Sequence, residues 1–179
     1  MTQQQLIKHT GATCTPLELG QFLADKLMQQ VPADWKQRQL TVLDPACGEG
    51  ALLEAMTESL QSQCLPHRLL GYDSSPSYVA EAQARLPGFA EIAQADFLEL
   101  VAHQDGQMRL GFDTSKGHSS LESAIDVIIA NPPYVRTQVL GAEKAQRLAK
   151  KYGLKGRVDL YYPFLMAMTD SLKPGGLLA

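Results

Sequence analysis

Asn131-Pro132-Pro133-Tyr134 is the stretch of this sequence whose residue types are best suited to chemistry. Pro132 and Pro133 have fixed φ angles and no N–H, and each restrains the residue before it, so the backbone leaving Asn131 is stiff. The carbonyls there face outward as acceptors. The Asn131 side-chain oxygen and the Pro132 carbonyl can each accept a hydrogen from one NH₂ group. Held in this way, the nitrogen turns its lone pair toward an electrophile, and both acceptors stabilise the positive charge that grows on it. Tyr134 offers a flat face on which a planar base or amide can stack. No strong general base is needed, because the proton can leave after the new bond has formed. The bland alternative is a rigid Pro-Pro turn with Tyr134 as a packing residue.

Three further clusters carry polar groups. Asp44-Pro45-Ala46-Cys47-Gly48-Glu49-Gly50 places an acid before a loop whose two glycines let backbone approach a ligand closely. The loop is neither GxGxxG nor GxxxxGK[ST], so it is a poor phosphate cradle. An acid there suits a cationic ligand, although a tight turn without a ligand explains the same residues. Asp73 follows at a spacing at which acids in nucleotide-binding α/β folds take ribose hydroxyls. Asp73, Ser74 or Ser75 could equally cap a helix starting at Pro76. In Asp96-Phe97, the carboxylate can accept from an adenine amino group and the ring can lie against it, or the Asp merely ends a strand and Phe97 is core.

The elements that must position these clusters alternate. Thr15 can cap a helix with Pro16 at its first position, and Leu19, Phe22, Leu23 and Leu27 give it one apolar face to about Val31-Pro32. Strands are predicted at Leu40–Leu43, Arg68–Asp73, Ala90–Ala95 and Ala124–Ala130. The last is nearly all apolar and suits a central strand covered on both faces. Helices are predicted over Ala51–Leu60, Pro76–Leu86, 142–152 and Leu160–Leu172, with an irregular excursion over 102–123. This is the pattern of a doubly wound, mostly parallel sheet, in which ligands sit outside the carboxyl ends of the strands. All four polar clusters fall at such ends.

The 179 residues suit one domain, with 45% hydrophobic and 20% charged residues. The net charge of −3 gives no overall basic excess, so DNA affinity would need a local patch such as Lys144, Arg147, Lys150, Lys151, Lys155 and Arg157. Cys14, Cys47 and Cys64 are widely spaced, without metal-ligand pairing, and their odd number without a signal peptide favours a reducing cytoplasm. His67, His103 and His118 have no metal-ligand spacing either. Cys47 reads as a small packing residue more readily than as a reactive thiol. Tyr161, Tyr162, Phe164, Met166 and Met168 read as core. No apolar run reaches the length of a membrane span.

Together these motifs resemble the N6-adenine-specific DNA methyltransferases of the gamma arrangement, including type IIG and Eco57I-like restriction–modification methylases. The likeness covers nearly the whole chain. Thr15-Pro16 resembles the motif that precedes the cofactor loop, Asp44–Gly50 the [DE]PACGxG loop, Gly71-Tyr72-Asp73 the ribose-binding motif, and Ala95-Asp96-Phe97 the adenine-binding motif. Asn131–Tyr134 resembles the catalytic [DNS]PP[YFW] motif, and Asp159–Phe164 and Leu172–Gly176 the following helix and turn. Cys14 departs from the aromatic common before Thr-Pro.

The resemblance implies a Rossmann-like class I fold using S-adenosyl-L-methionine. Thr15 and Asp44, Pro45, Ala46, Gly48 and Gly50 would contact its methionine, Asp73 its ribose, and Asp96 and Phe97 its adenine. Asn131, Pro132 and Pro133 would hold the target amino group, with Tyr134 stacked on an adenine flipped out of double-stranded DNA. A restriction endonuclease or specificity region, fused or associated, is the implied partner. Residues 1–35 would form a leading helical segment and 40–179 the cofactor-binding and catalytic core. Because Lys173-Pro174-Gly175-Gly176 reads as a helix stop and turn and Leu177-Leu178-Ala179 as the start of a strand, the expectation is a piece of a longer protein. Its last strands and target-recognition domain are missing, and its activity alone is weak or absent. Glutamine-modifying protein methyltransferases and some RNA enzymes share Asn-Pro-Pro-Tyr, and a non-catalytic module is a third reading. The Thr15-Pro16 order and the Pro-Ala-Cys-Gly loop favour DNA, and the intact motifs favour an enzyme.

Overall fold

The computed structural model describes residues 15–102, 121–133, 142–153 and 159–179. Helix α1 (Leu17–Gln30) is followed by a 3₁₀ turn at Ala33–Gln37. Then come β1 (Leu40–Asp44), α2 (Ala51–Ser62), β2 (His67–Asp73), α3 (Pro76–Arg85) and β3 (Ala90–Gln94). Helix α4 (Phe97–Ala102), β4 (Ile125–Ile128), α5 (Ala142–Tyr152), α6 (Tyr161–Ser171) and β5 (Leu172–Leu178) complete the order. The five strands form one parallel sheet in the order β3-β2-β1-β4-β5.

The alternation of side chains along the strands divides the core into two layers. Leu40, Val42, Leu69, Val127 and Ile129 meet α1, α2 and α3 on one face. Leu43, Leu70, Ile125 and Ile128 meet Phe97, Leu148, Phe164 and Met168 from α4, α5 and α6 on the other. Each fully buried Leu contributes about 2 kcal/mol through the apolar area it removes from water. Helix α1 belongs to this core, since Ala24, Leu27 and Met28 are buried beside Leu52, Ala55 and Met56 of α2. Gln21 Nε2 adds a 3.0 Å hydrogen bond to Ser59 Oγ.

Several elements differ from the expectations. Thr15 does not cap α1: the capping position is Pro16, without a side-chain hydrogen bond, and the helix begins at Leu17. Helix α4 was not foreseen, although Asp96-Phe97-Leu98-Glu99 has the spacing of a capping box. Asp96 Oδ1 accepts from the N–H groups of Leu98 (3.1 Å) and Glu99 (3.3 Å). Of the five residues read as core near the end of the chain, Phe164 and Met168 are buried whereas Tyr162 and Met166 are exposed.

The Lys173–Gly176 stretch is not a turn before a strand. It lies within β5 as an irregularity, because Ile125 pairs with Leu172 and Val127 with Leu177. The chain must therefore bulge around Asp126. Gly175 has φ +80°, and a Cβ on Gly176 would stand 2.8 Å from Leu172 Cδ2 and 2.9 Å from the Lys173 carbonyl, so the bulge needs both glycines. Asp126, in the strand read as almost wholly apolar, is fully buried and held from three sides. Arg38 Nη1 donates to it at 2.6 Å, Lys173 Nζ at 3.0 Å and the Thr41 N–H at 2.8 Å. Burial alone would push this carboxyl up, but the Thr41, Lys173 and Arg38 donors bring it below its ordinary value.

Candidate functional site

In a parallel sheet every strand C-terminus lies on the same edge. Strand β1 leads outward through β2 and β3 on one side and has β4 and β5 on the other. The order reverses between β1 and β4, and an open doubly wound sheet forms its ligand crevice at such a point. Asp44 is the last residue of β1. The register of β4 continues past its end, the Ile129 N–H donating to Leu43 O (3.1 Å) and the Ala130 N–H to Ala179 O (2.9 Å). Asn131 is therefore delivered beside the end of β1, and Pro132 is buried behind it.

The loop after β1 is shaped by hydrogen bonds to its own acids and to β2. The Ala46 N–H donates to Asp44 Oδ1 (3.1 Å), the Cys47 N–H to Tyr72 O (2.8 Å) and the Gly48 N–H to Asp73 Oδ2 (2.9 Å). Gly48 has φ +51°, and a Cβ there would meet nothing within 4 Å, so the loop borders open space. Gly50 has φ +85° and sits against α3, where a Cβ would come within 3.2 Å of Ala82 Cβ. Arg85 of α3 pairs with Glu49 and with Glu54, each at 3.4 Å, on the outer side.

Electrostatics mark Asp44. Its side chain is 1% exposed, and burial pushes its carboxyl up to about 7, the Ala46 N–H pulling it down and Asp73 adding to the rise. Among the described residues no cation pairs with it. A buried carboxylate without a counter-charge is costly, and a cationic ligand would relieve that cost. Asp73 accepts from Gly48 through one oxygen and from the Ser75 N–H (2.8 Å) through the other. It thus ties the loop to the start of α3, and each carboxylate oxygen retains a second acceptor direction. The donor set fits a ligand with a cationic end and a hydroxylated middle.

The remaining predicted residues divide. Thr15 meets Asn131, whose Nδ2 donates to Thr15 Oγ1 at 3.3 Å across 116 positions of sequence. Asp96 caps α4 from the end of β3. Phe97 is only 1% exposed and its ring lies 5.9 Å from the Phe164 ring, centroid to centroid, so it packs within the core. Pro45 is buried. Tyr134, Cys14, His103, His118, Lys155 and Arg157 lie outside the described residues, as does the Lys144 side chain. Within the basic patch, Arg147 pairs with Glu99 (3.3 Å) and Lys151 Nζ donates to Val101 O (2.7 Å), so part of that charge is spent inside the molecule. Cys47 is buried against Gly71, where a Cβ would stand 3.1 Å from its sulfur, and burial pushes its thiol up, so it packs as a neutral group. An open hollow of about 490 Å³ on α1 and α2, lined by Leu17, Glu18, Gln21, Phe22, Asp25 and Glu58, contains none of these groups.

Comparison with known proteins gives this geometry a family. Residues 72–179 match the family model described as Eco57I restriction-modification methylase. The chain is 41% identical over 178 residues to the type II methyltransferase M.BanIII of Aneurinibacillus aneurinilyticus. The chain belongs to the Eco57I restriction-modification methylase family. The M.BanIII alignment covers 96% of the chain, whereas the family match begins at Tyr72, after the Asp44 loop. The type II methyltransferase M.BstVI of Geobacillus stearothermophilus is 25% identical, with 99% of the chain covered. The chain spans 30% and 34% of the lengths of these two relatives.

Solved structures agree on the fold of this Eco57I-family chain. A protein of Listeria monocytogenes described as a class I S-adenosylmethionine-dependent methyltransferase superimposes with a TM-score of 0.65 at 21% identity, covering 93% of the chain and 46% of that protein. The methyltransferase subunit of a type I restriction-modification system from Streptococcus thermophilus gives 0.61 at 16% identity, covering 98% and 36%. The fold is the Rossmann-like class I methyltransferase sheet. Among the described residues no helix is long and apolar enough to cross a membrane.

Proposed function

We propose that this chain carries the catalytic core of an enzyme that transfers a methyl group from S-adenosyl-L-methionine to the N6 amino group of adenine in DNA, within a restriction–modification system. The observation that carries the reading is the delivery of Asn131-Pro132-Pro133 beside Asp44, where the strand order reverses. One buried acid suited to a cation and one turn suited to an amino group meet at the same crevice.

S-adenosyl-L-methionine supplies an electrophilic methyl group when bound. Asp44, ionised beside the ligand's positive charges, holds its methionine end, and the Ala46–Gly50 backbone wraps it. Asp73 takes the ribose hydroxyls while keeping the loop in place. Asp96 and the start of α4 border the adenine end, and Phe97 supports them from the core. Asn131 Oδ1 and the Pro132 carbonyl accept the two hydrogens of the target amino group and turn its lone pair toward the methyl. Both acceptors stabilise the charge that develops, and the proton leaves afterwards to solvent. Tyr134 stacks on the target base. Adenine N6 is paired inside a duplex, so the target must be flipped out to reach this turn. Recognition of a DNA sequence, and a cognate endonuclease, fused or associated, belong to the whole protein.

Full-length protein supplied with methyl-labelled S-adenosyl-L-methionine and, separately, duplex DNA, RNA and protein tests this reading. Label is expected in N6-methyladenine of duplex DNA. Label found only on RNA or on protein glutamine would overturn it.

A further inference from the structure

We infer that one basic face of α5, carried by Arg147, Lys150 and Lys151, holds the phosphate backbone of the DNA duplex beside the target base. The inference rests on the reading of DNA as substrate proposed above. Helix α5 has four basic residues, Lys144, Arg147, Lys150 and Lys151, against one acid, Glu143. Leu148 is 2% exposed and belongs to the core layer of Phe97 and Phe164, which fixes how the helix is turned. At 3.6 residues per turn, Arg147 and Lys151 then fall on one flank of Leu148 and Lys150 on the outer face, with Ala149 on the other flank. The positive charge is gathered on one side of the helix.

Positive charge elsewhere in the described residues is paired or isolated. Arg38 and Lys173 share Asp126, Arg68 pairs with Glu91, and Arg85 pairs with Glu49 and Glu54. Lys26 and Lys36 stand singly, on α1 and in the 3₁₀ turn. On α5, Lys150 and Lys151 are exposed and form no ion pair among the described residues. Lys151 Nζ donates to Val101 O at 2.7 Å and lies 5.7 Å from the Tyr152 ring centroid, and neither contact neutralises its charge. Arg147 pairs with Glu99 at 3.3 Å, but its side chain is 51% exposed, and a pair so open to water is readily exchanged for a phosphate. Arg147 and Lys151 stand four residues apart, a like-charge spacing that costs a helix stability and that an anionic partner relieves. The face is also well placed. Helix α4 starts just past the C-terminal end of β3, and Glu99 is in its first turn. The Arg147–Glu99 contact therefore brings α5 alongside the ligand edge of the sheet. From Arg147 to Lys151 the helix rises about 6 Å, a length over which one DNA strand presents about two phosphates. Contacts of this kind read no sequence; they hold the duplex while a base is drawn out of its stack.

The test is equilibrium binding of full-length protein to a fluorescent DNA duplex of mixed sequence, at salt concentrations from about 50 to 200 mM. Lys150→Gln is expected to lower the slope of log affinity against log salt by about 0.9 and to weaken binding at about 100 mM salt roughly 10-fold. Adding Lys151→Gln should double the change in slope. Lys150→Arg keeps the charge and should keep the slope. Lys36→Gln, before the N-terminal end of β1, should leave the slope unchanged. An unchanged slope in both Lys150→Gln and the double variant would overturn the inference. So would an equal loss in Lys36→Gln, which would make the effect one of net charge. A lower melting temperature with an unchanged slope would also overturn it, assigning the two lysines to the C-terminal dipole of α5. Absence of DNA binding by the unmodified protein would overturn the underlying reading of the substrate, and this inference with it.

Discussion

Two aspartates lie buried at opposite ends of neighbouring central strands, and they are treated in opposite ways. Asp126 of β4 sits toward the N-terminal end of the sheet, 0% exposed, with Arg38, Lys173 and the Thr41 N–H converging on it. Asp44 ends β1 at the C-terminal edge, 1% exposed, with the Ala46 N–H as its neighbour and no cation among the described residues. The first is held ionised and joins the 3₁₀ turn, β1, β4 and the bulge of β5. The second is raised to about 7 and is ready to ionise when positive charge arrives. One end of the sheet is satisfied by the protein itself. The other holds a buried acid with no cation among the described residues, a setting in which a cationic ligand would be favoured.

The largest effect that would sharpen this contrast lies at the C-terminal edge. Asn131→Ala should lower the rate of methyl transfer about 10²- to 10³-fold by removing one of two acceptors, while cofactor affinity stays nearly unchanged. Single-turnover kinetics and a binding titration on the full-length protein check both halves.

At the other end, Asp126→Ala should lower the free energy of unfolding by about 2 kcal/mol and leave the C-terminal crevice intact. It strips the buried Thr41 N–H of its acceptor. The loss is tempered because the Arg38 and Lys173 side chains are 39% and 37% exposed and can turn to water. Denaturant unfolding with and without cofactor measures it.

The two acids also predict opposite responses to pH. Asp126 is lowered, so its contribution to stability is present above the ordinary aspartate value and is lost as pH falls through its own lower value. Asp44 is raised, so its contribution is present at low pH and is lost as pH rises toward about 7. Since a cationic cofactor favours ionised Asp44, affinity should fall below pH 7, by up to about tenfold per pH unit. Asp44→Asn should weaken binding and flatten that slope, which equilibrium titrations from pH 5.5 to 8.5 would detect.

The smallest effect is backbone strain. Gly50→Ala places a Cβ at φ +85° and 3.2 Å from Ala82, which should cost about 1 kcal/mol in thermal unfolding. The same change should loosen the Asp44–Gly50 loop and so weaken the cofactor binding proposed for it.

The C-terminal edge was far more legible in the sequence than the N-terminal end, for a physical reason. The loops proposed to hold the ligands are built from residues with few substitutes, such as Gly48 and Gly50 at positive φ and the prolines after Asn131, and these stand next to one another in the chain. The strand alternation followed from apolar periodicity, and the parallel sheet followed from that. The Asp126 cluster unites residues 38, 41, 126 and 173, and no local pattern announces such a union. An aspartate within Ile125–Ile128 was a visible irregularity, but its partners were not. Thr15 misled because Thr-Pro before an apolar face is a good capping signal; its hydroxyl went instead to a residue 116 positions away. For Phe97 the sequence left a ring-stacking and a core reading open, and the structure packs it in the core beside Phe164.

The contrast between the two buried acids stands or falls on proton release when the cofactor binds. Calorimetry of S-adenosyl-L-methionine binding to the full-length protein, in buffers of different ionisation enthalpy at pH 6 and pH 8.5, measures it directly. Release of most of one proton is expected at pH 6, almost none at pH 8.5, and none at pH 6 once Asp44→Asn is introduced. Binding without proton release at pH 6, or release that survives Asp44→Asn, would contradict it.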